Sequence, residues 1–460
     1  MVLGKVFERF VQFTPVSVMM RGVLENVFAR ESLDELFVQT AKRQYCARLL
    51  FSAVVDLLSL VVAGVRKSVH EAYEAAREEF TVAVQSVYNK LNGVEPEVSR
   101  ELVRRTAGRL ARVVRQLIPK EQRRWRGFRV KIIDGNHFPS TEHRLKATRT
   151  TRSGPLPGQA LVVLEPALML ATDVFPCEDG HAQERSLLPQ VLETVQPEDL
   201  WIADRNFCTT DFLFGIAQRQ GYFLIRQHGS TLTYELLGER RRVGRCETGM
   251  VYEQGMRLSH PDGRQLTIRR ITIELDEPTR DGETAIHLLT NASKRRLPAK
   301  VAADKYRQRW TVENAFQELS QALHSEINTL GYPKAAVLSF SISLMTYNAM
   351  SVVKTALAAA HPDKVERKQL SGYYLASEIS AAYYGMMIAI PESKWTKEFA
   401  ELSGVQLARL LRQLATGLRI ERFMKRYRGP KKPRPKRTSG RRYHHVSTAR
   451  LLAQQKTQQQ

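Results

Sequence analysis

Two stretches decide the fold: Phe128-Arg129-Val130-Lys131-Ile132-Ile133-Asp134-Gly135-Asn136 and Leu200-Trp201-Ile202-Ala203-Asp204-Arg205-Asn206-Phe207. Each is an apolar run that reads as a buried strand, and each places an aspartate where the strand is expected to end. A third segment, Tyr306-x-x-Arg309-x-x-x-Glu313, spaces its residues at i, i+3 and i+7, one face of a helix. Two strand-end aspartates and a helix glutamate can hold a pair of divalent cations. Two such ions can clamp the attacking and leaving oxygens of an in-line displacement at phosphorus.

Working outward, Ala160 to Leu164, Leu168 to Val174 and Tyr222 to Ile225 read as further strands. Arg185 to Val195 and Asp211 to Gln218 read as helices between them, so the fold class is α/β, a mixed sheet with flanking helices. Residues 1 to about 120 read as helical. There Ser32 and Glu35 suggest a capping box, and a helix from Pro96 turns Arg104, Arg105, Arg109, Arg112 and Arg115 outward. That helix suits either DNA docking or a plain solvated basic face. Between 229 and 297 short strand candidates surround the turn His260-Pro261-Asp262-Gly263, predicting an all-β insertion. One helix is expected from Pro298 to His324. Apolar helices follow over Ala335 to Ala360 and Tyr373 to Ala389, and an amphipathic one from Thr396 to Leu418.

The charge balance points to a polyanion. Lys and Arg number 70 against 47 Asp and Glu among 460 residues, a net charge of +23. Eleven of the basic residues fall between Arg422 and Arg442 with no acid among them, so the body is basic as well. Interleaved prolines and a glutamine-rich end predict disorder from 421 to 460 in the free protein. Cys46, Cys177, Cys208 and Cys246 form no Cys-x-x-Cys and suggest reduced thiols in a cytoplasmic protein. Leu49 to Val65 is short for a membrane span and carries Asp56, so neither a membrane association nor a signal peptide is expected.

Taken singly, each acid has a plainer reading. Asp134 before glycine makes turns, Asp204 can cap the segment after it, and Glu313 can pair with Arg309 for about 0.2–0.5 kcal/mol. Together they are more informative. Like charges about 4 Å apart repel by roughly 4 kcal/mol at an effective dielectric of about 20, so convergence requires a proton or cations. Several hard oxygens with open positions suit Mg²⁺ or Mn²⁺.

In these motifs the chain resembles the DDE transposases of bacterial insertion sequences, the cut-and-paste branch marked by Tyr-x2-Arg-x3-Glu-x6-Lys. Tyr306, Arg309 and Glu313 match the signature, Asp134-Gly135 the first-aspartate motif, and Asp204-Arg205-Asn206-Phe207 the second. Leu288-Leu289-Thr290-Asn291 sits where that family often has a similar strand. The resemblance implies a ribonuclease-H-like core at 121–228 and 298–350, interrupted by the β insertion at 229–297. A helical DNA-binding region at 1–120, a helical region at 351–420 and the basic tail at 421–460 complete the expected organisation. It further implies two Mg²⁺ or Mn²⁺ ions on Asp134, Asp204 and Glu313, and positioning of the DNA end by Tyr306, Arg309 and Trp310. The expected partner is double-stranded DNA, both transposon ends and target, held by a homodimer in the nucleoid. Tail residues Lys425, Arg426, Arg428, Lys431, Lys432, Arg434, Lys436 and Arg437 are expected on the DNA backbone. Two departures stand out. Ser320 occupies the signature's lysine position, and the insertion contains no tryptophan. A DNA-binding regulator that has lost catalysis, and a nuclease that never joins strands, are the alternatives.

Overall fold

The structure, a computed structural model, describes residues 3–42, 48–229, 232–279, 282–323, 327, 329–426 and 446–459. Among them the strands β1 (Arg129–His137), β2 (Gln159–Glu165), β3 (Leu170–Cys177), β4 (Asp199–Ala203) and β5 (Tyr222–Arg226) come first. β6 (Thr233–Cys246), β7 (Gly249–Ser259), β8 (Gln265–Leu275) and β9 (Ala285–Thr290) follow. They form one sheet in the order β3-β2-β1-β4-β5-β9-β8-β7-β6. β1, β2 and β3 are an antiparallel meander, and β4 and β5 lie parallel to β1. Parallel strands are covered on both faces, which is why Asp199–Ala203 is buried throughout and reads as a near-continuous apolar run.

The strands expected between 229 and 297 join this sheet rather than stand apart. β9 returns antiparallel to β5, pairing Ile225 with Leu289 and Arg226 with Leu288. Asn291 locks that junction, since its side chain accepts from the Phe223 amide at 3.0 Å and donates to the Gly221 carbonyl at 2.9 Å.

Alternation along β1 sends Ile132 to one core and Ile133 to the other. On the first face pack the long helices Pro96–Leu117 and Pro333–Ala360. The outer strand β3 is tied to both. Asn348 accepts from the Ala171 amide at 2.7 Å and donates to its carbonyl at 2.8 Å, standing in for a missing neighbour strand. Arg100 grips Asp173 with two bonds of 3.0 and 3.1 Å. The helix Pro333–Ala360 is long and apolar enough to cross a membrane, but it is the buried centre of this helical layer. The second face carries the turn Glu184–Leu187 and the helices Leu188–Leu192 and Thr210–Gln218.

Five local expectations are corrected. The helix Arg30–Thr40 begins after Ala29, so Ser32 lies inside it and caps nothing. β1 continues past Asp134 to His137, because β2 supplies partners as far as Gln159. The helix expected from Pro298 to His324 is two helices, Ala299–Tyr306 and Trp310–Ala322, joined by a 3₁₀ turn at Arg307–Arg309. The segment from Thr396 to Leu418 is likewise divided, with a wide π turn at Thr396–Ala400 before the helix Gly404–Thr416, which Ser403 and Gln406 cap reciprocally. Lastly, the end of the chain is not wholly disordered. Thr448–Gln459 is a helix, anchored where Leu156 donates to Val446 at 2.8 Å and where Arg450 pairs with Asp179 at 2.7 Å. Residues 427–445 lie outside the described residues.

Candidate active site

Asp134 and Asp204 are brought together by strand register. β1 and β4 pair in parallel with Ile132 opposite Ile202, and each aspartate lies two residues further on. The register therefore brings them near one another, close enough for the Asp204 charge to act on the Asp134 carboxyl. Each carboxylate has one oxygen held by nearby backbone. Asp134 accepts from the Gly135 amide at 3.0 Å, and Asp204 from the Asn206 amide at 2.8 Å, which makes Asp204 the cap of the turn Arg205–Phe207.

The third acid arrives through an arginine. In the 3₁₀ turn Arg307 faces outward and pairs with Glu247, while Arg309 faces inward. The Arg309 guanidinium donates to Asp134 at 2.9 Å and reaches Glu313 at 2.8 Å, bridging the first and third acids. Arg309 and Asp134 are 14% and 17% exposed, whereas Glu313 is 46% exposed, which puts Glu313 at the rim. Burial pushes the Asp134 carboxyl up to about 7; Arg309 opposes the rise, and Asp204 and Glu313 add to it. Burial likewise raises the Tyr306 phenol above its ordinary range, while its hydrogen bond to Arg309 acts the other way. Arg309 Nε is buried and has no acceptor among the described residues, so one donor of the fork remains for a ligand oxygen.

The donor set fits a hard divalent cation. It consists of carboxylate oxygens held partly by backbone amides, from within β1 and from the turn that follows β4. As the side chains stand, no three Asp, Glu, His or Cys among the described residues converge as a ready ligand group, because the guanidinium lies between Asp134 and Glu313. A cation held by these acids would compete with Arg309 for the Asp134 and Glu313 carboxylates.

Trp310 opens the helix Trp310–Ala322, but its side chain and that of Ser320 lie outside the description. Of the basic tail, the Lys425 amide donates to the Gln369 carbonyl at 2.7 Å, and Arg426 lies 5.8 Å from the Tyr374 ring centre. Arg428, Lys431, Lys432, Arg434, Lys436 and Arg437 fall outside the described residues.

Sequence reasoning missed several neighbours. Arg226 ends β5, one step past the pair Ala203–Ile225, so it stands level with Asp204 and shares Glu283 with Arg205. A cation closing the run Tyr222 to Ile225 was its only signal. Glu184 and Arg185 approach from the sheet's other face and hold Asn206, and nothing in their sequence marks them.

No curated protein matches this chain. The solved structure of a piggyBac transposase synaptic complex with hairpin DNA is similar at a TM-score of 0.37 and 11% identity, over 87% of this chain and 84% of that one. The family model described as the transposase DDE domain matches residues 125–349. That segment, which holds Asp134, Asp204 and Glu313 alike, is similar to a transposase DDE domain.

Proposed function

We propose that this protein is an insertion-sequence transposase that cuts and joins DNA at the inverted-repeat ends of its element, with two Mg²⁺ or Mn²⁺ ions on Asp134, Asp204 and Glu313. The observation that carries the reading is the register of β1 and β4, which sets two aspartates near one another beneath a helix that presents Glu313. The meander β1–β3 with β4 and β5 parallel to it supports reading the core as ribonuclease-H-like. When bound, the ions supply positive charge at a phosphate and acidify an attacking water or hydroxyl.

The chain's own residues do the rest. Asp134 lies within β1 and Asp204 just past the end of β4, two strands held by their own pairing, so the acids are kept near one another before DNA arrives. Arg309 balances the acids in the free protein. With a cation in its place, its planar fork can turn to a phosphate oxygen and its unpartnered Nε adds a donor. Tyr306, kept neutral by burial, contributes a hydroxyl beside that fork. Arg226 and the net charge of +23 draw the duplex in, and two copies would hold the two ends together in the nucleoid.

The test is a duplex carrying the element's terminal repeat, incubated with Mg²⁺ or Mn²⁺ and plasmid target. The unmodified protein is expected to cut the 3′ end and transfer it. Asp134→Asn, Asp204→Asn and Glu313→Gln each lower cutting by about a thousandfold, the loss of several kcal/mol of charge stabilisation. Variants that cut as well as the unmodified protein sink the assignment. Nicking without transfer supports a nuclease. A second reading, a DNA-binding regulator without catalysis, is favoured by the guanidinium between Asp134 and Glu313 and by Ser320. Tight end binding with no cutting in either metal selects it.

A further inference from the structure

The two aspartates are approached from opposite sides of the sheet. Arg309 and Glu313 come from the face of the long helices. Glu184 and Arg185, in the turn Glu184–Leu187, come from the other. Glu184 accepts a hydrogen bond from the Asn206 side-chain amide, and Arg185 Nε donates to the Asn206 carbonyl at 2.7 Å and lies 3.3 Å from its Oδ1. Asn206 is thus gripped by side chain and backbone together. Its own N–H is the donor that fixes Asp204 Oδ1 at 2.8 Å.

Gly135 belongs to the same arrangement. It follows Asp134 on β1, and a Cβ built there meets Glu184 Oε1 at 1.7 Å and its Cδ at 2.4 Å. Its backbone is not left-handed among the described glycines, so close approach rather than conformational freedom requires glycine here. The Glu184 carboxylate lies against the strand carrying the first acid and binds the loop carrying the second.

We infer that Glu184 and Arg185 are positioning residues that clamp Asn206 and thereby aim the Asp204 carboxylate at the cation shared with Asp134. This rests on the metal-binding reading of the three acids. Groups that orient metal ligands from behind are typically worth about 10–100-fold in metal affinity. The clamp acts through a hydrogen bond to Asn206, not through its charge. It also explains a glycine beside the first aspartate, since a methyl group there evicts Glu184 from its position.

The experiment is Mn²⁺ binding to the full-length protein without DNA, followed by the electron paramagnetic resonance of the free ion. Glu184→Ala, Asn206→Ala and Gly135→Ala are each expected to weaken Mn²⁺ binding by about tenfold. The double variant Glu184→Ala/Asn206→Ala is no weaker than either single one, because both break one linkage. Glu184→Gln keeps an oxygen acceptor for Asn206 and is expected to bind within about twofold of the unmodified protein; its intact binding also guards against misfolding as the cause. The inference is overturned if Glu184→Ala binds Mn²⁺ normally while Asp204→Asn does not, or if Glu184→Gln is as weak as Glu184→Ala. If Asp204→Asn itself binds normally, the metal site is what fails.

Discussion

At the scale of single residues, the site is organised by one charge shared among several acids. Asp134 is raised to about 7 by burial, opposed by Arg309 and reinforced by Asp204 and Glu313. The sign of the consequence is definite. A carboxyl raised in the folded state binds its proton more tightly there than in the unfolded chain, so its contribution to stability is complete below about pH 4 and is lost as pH rises to about 7. In metal-free buffer the melting temperature is expected to fall over that interval, after subtraction of the Asp134→Asn profile. Saturating Mg²⁺ is expected to flatten the difference, because the cation replaces the proton. A profile identical in Asp134→Asn and unmodified protein contradicts this. Aspartates in or after apolar runs and an i, i+3, i+7 face have sequence patterns, so the neighbourhood of these acids was legible; that Arg309 links two of them was not. Their plainer readings hold as well: Asp204 caps a turn and Glu313 pairs with Arg309. Glu184 and Asn348 were not legible, and Arg226 showed only as a cation closing an apolar run. What singles them out is the partner that a distant element brings, and no local pattern encodes it.

At the scale of elements, hydrophobic runs placed the strands well, and errors gathered at the ends. β1 outruns its apolar run because pairing with β2, rather than hydrophobicity, decides where a strand stops. The capping pattern at Ser32 and Glu35 falls inside a helix, while Ser403 and Gln406 close a real box, which shows that such a pattern needs a chain break before it to be decisive. The most consequential element contact is that of Asn348 with β3. An edge strand buried under helices leaves peptide groups without water, and this one side chain satisfies both the N–H and the carbonyl of Ala171. Asn348→Ala strands both, so a loss of about 3 kcal/mol is expected in urea unfolding monitored by circular dichroism. An effect below about 1 kcal/mol means the helix Pro333–Ala360 holds the sheet by apolar packing alone.

At the scale of the whole molecule, charge and topology act together. The sheet brings Asp134 within β1 near Asp204 just past β4, while the net charge of +23 gives the surface an attraction for phosphate that extends about a Debye length. Duplex binding is therefore expected to weaken steeply with salt, with a slope of log K on log [KCl] of about −5 or steeper. A nearly flat slope contradicts an electrostatic docking surface. The described residues on either side of 427–445 are each bridged to the body, Met424 to Leu370 and Ser447 to Leu156, which composition alone could not have shown.

The central claim is spatial: the carboxylates of Asp134, Asp204 and Glu313 face one cation site. The measurement that reads it most directly loads Fe²⁺ in place of Mg²⁺, adds ascorbate and peroxide, and maps where the resulting radicals cut the polypeptide. Cuts clustered near residues 134, 204 and 313 together, suppressed by excess Mg²⁺ and absent from Asp134→Asn, are the predicted result. Cuts confined to one of those segments, or unaffected by Mg²⁺, would contradict the account.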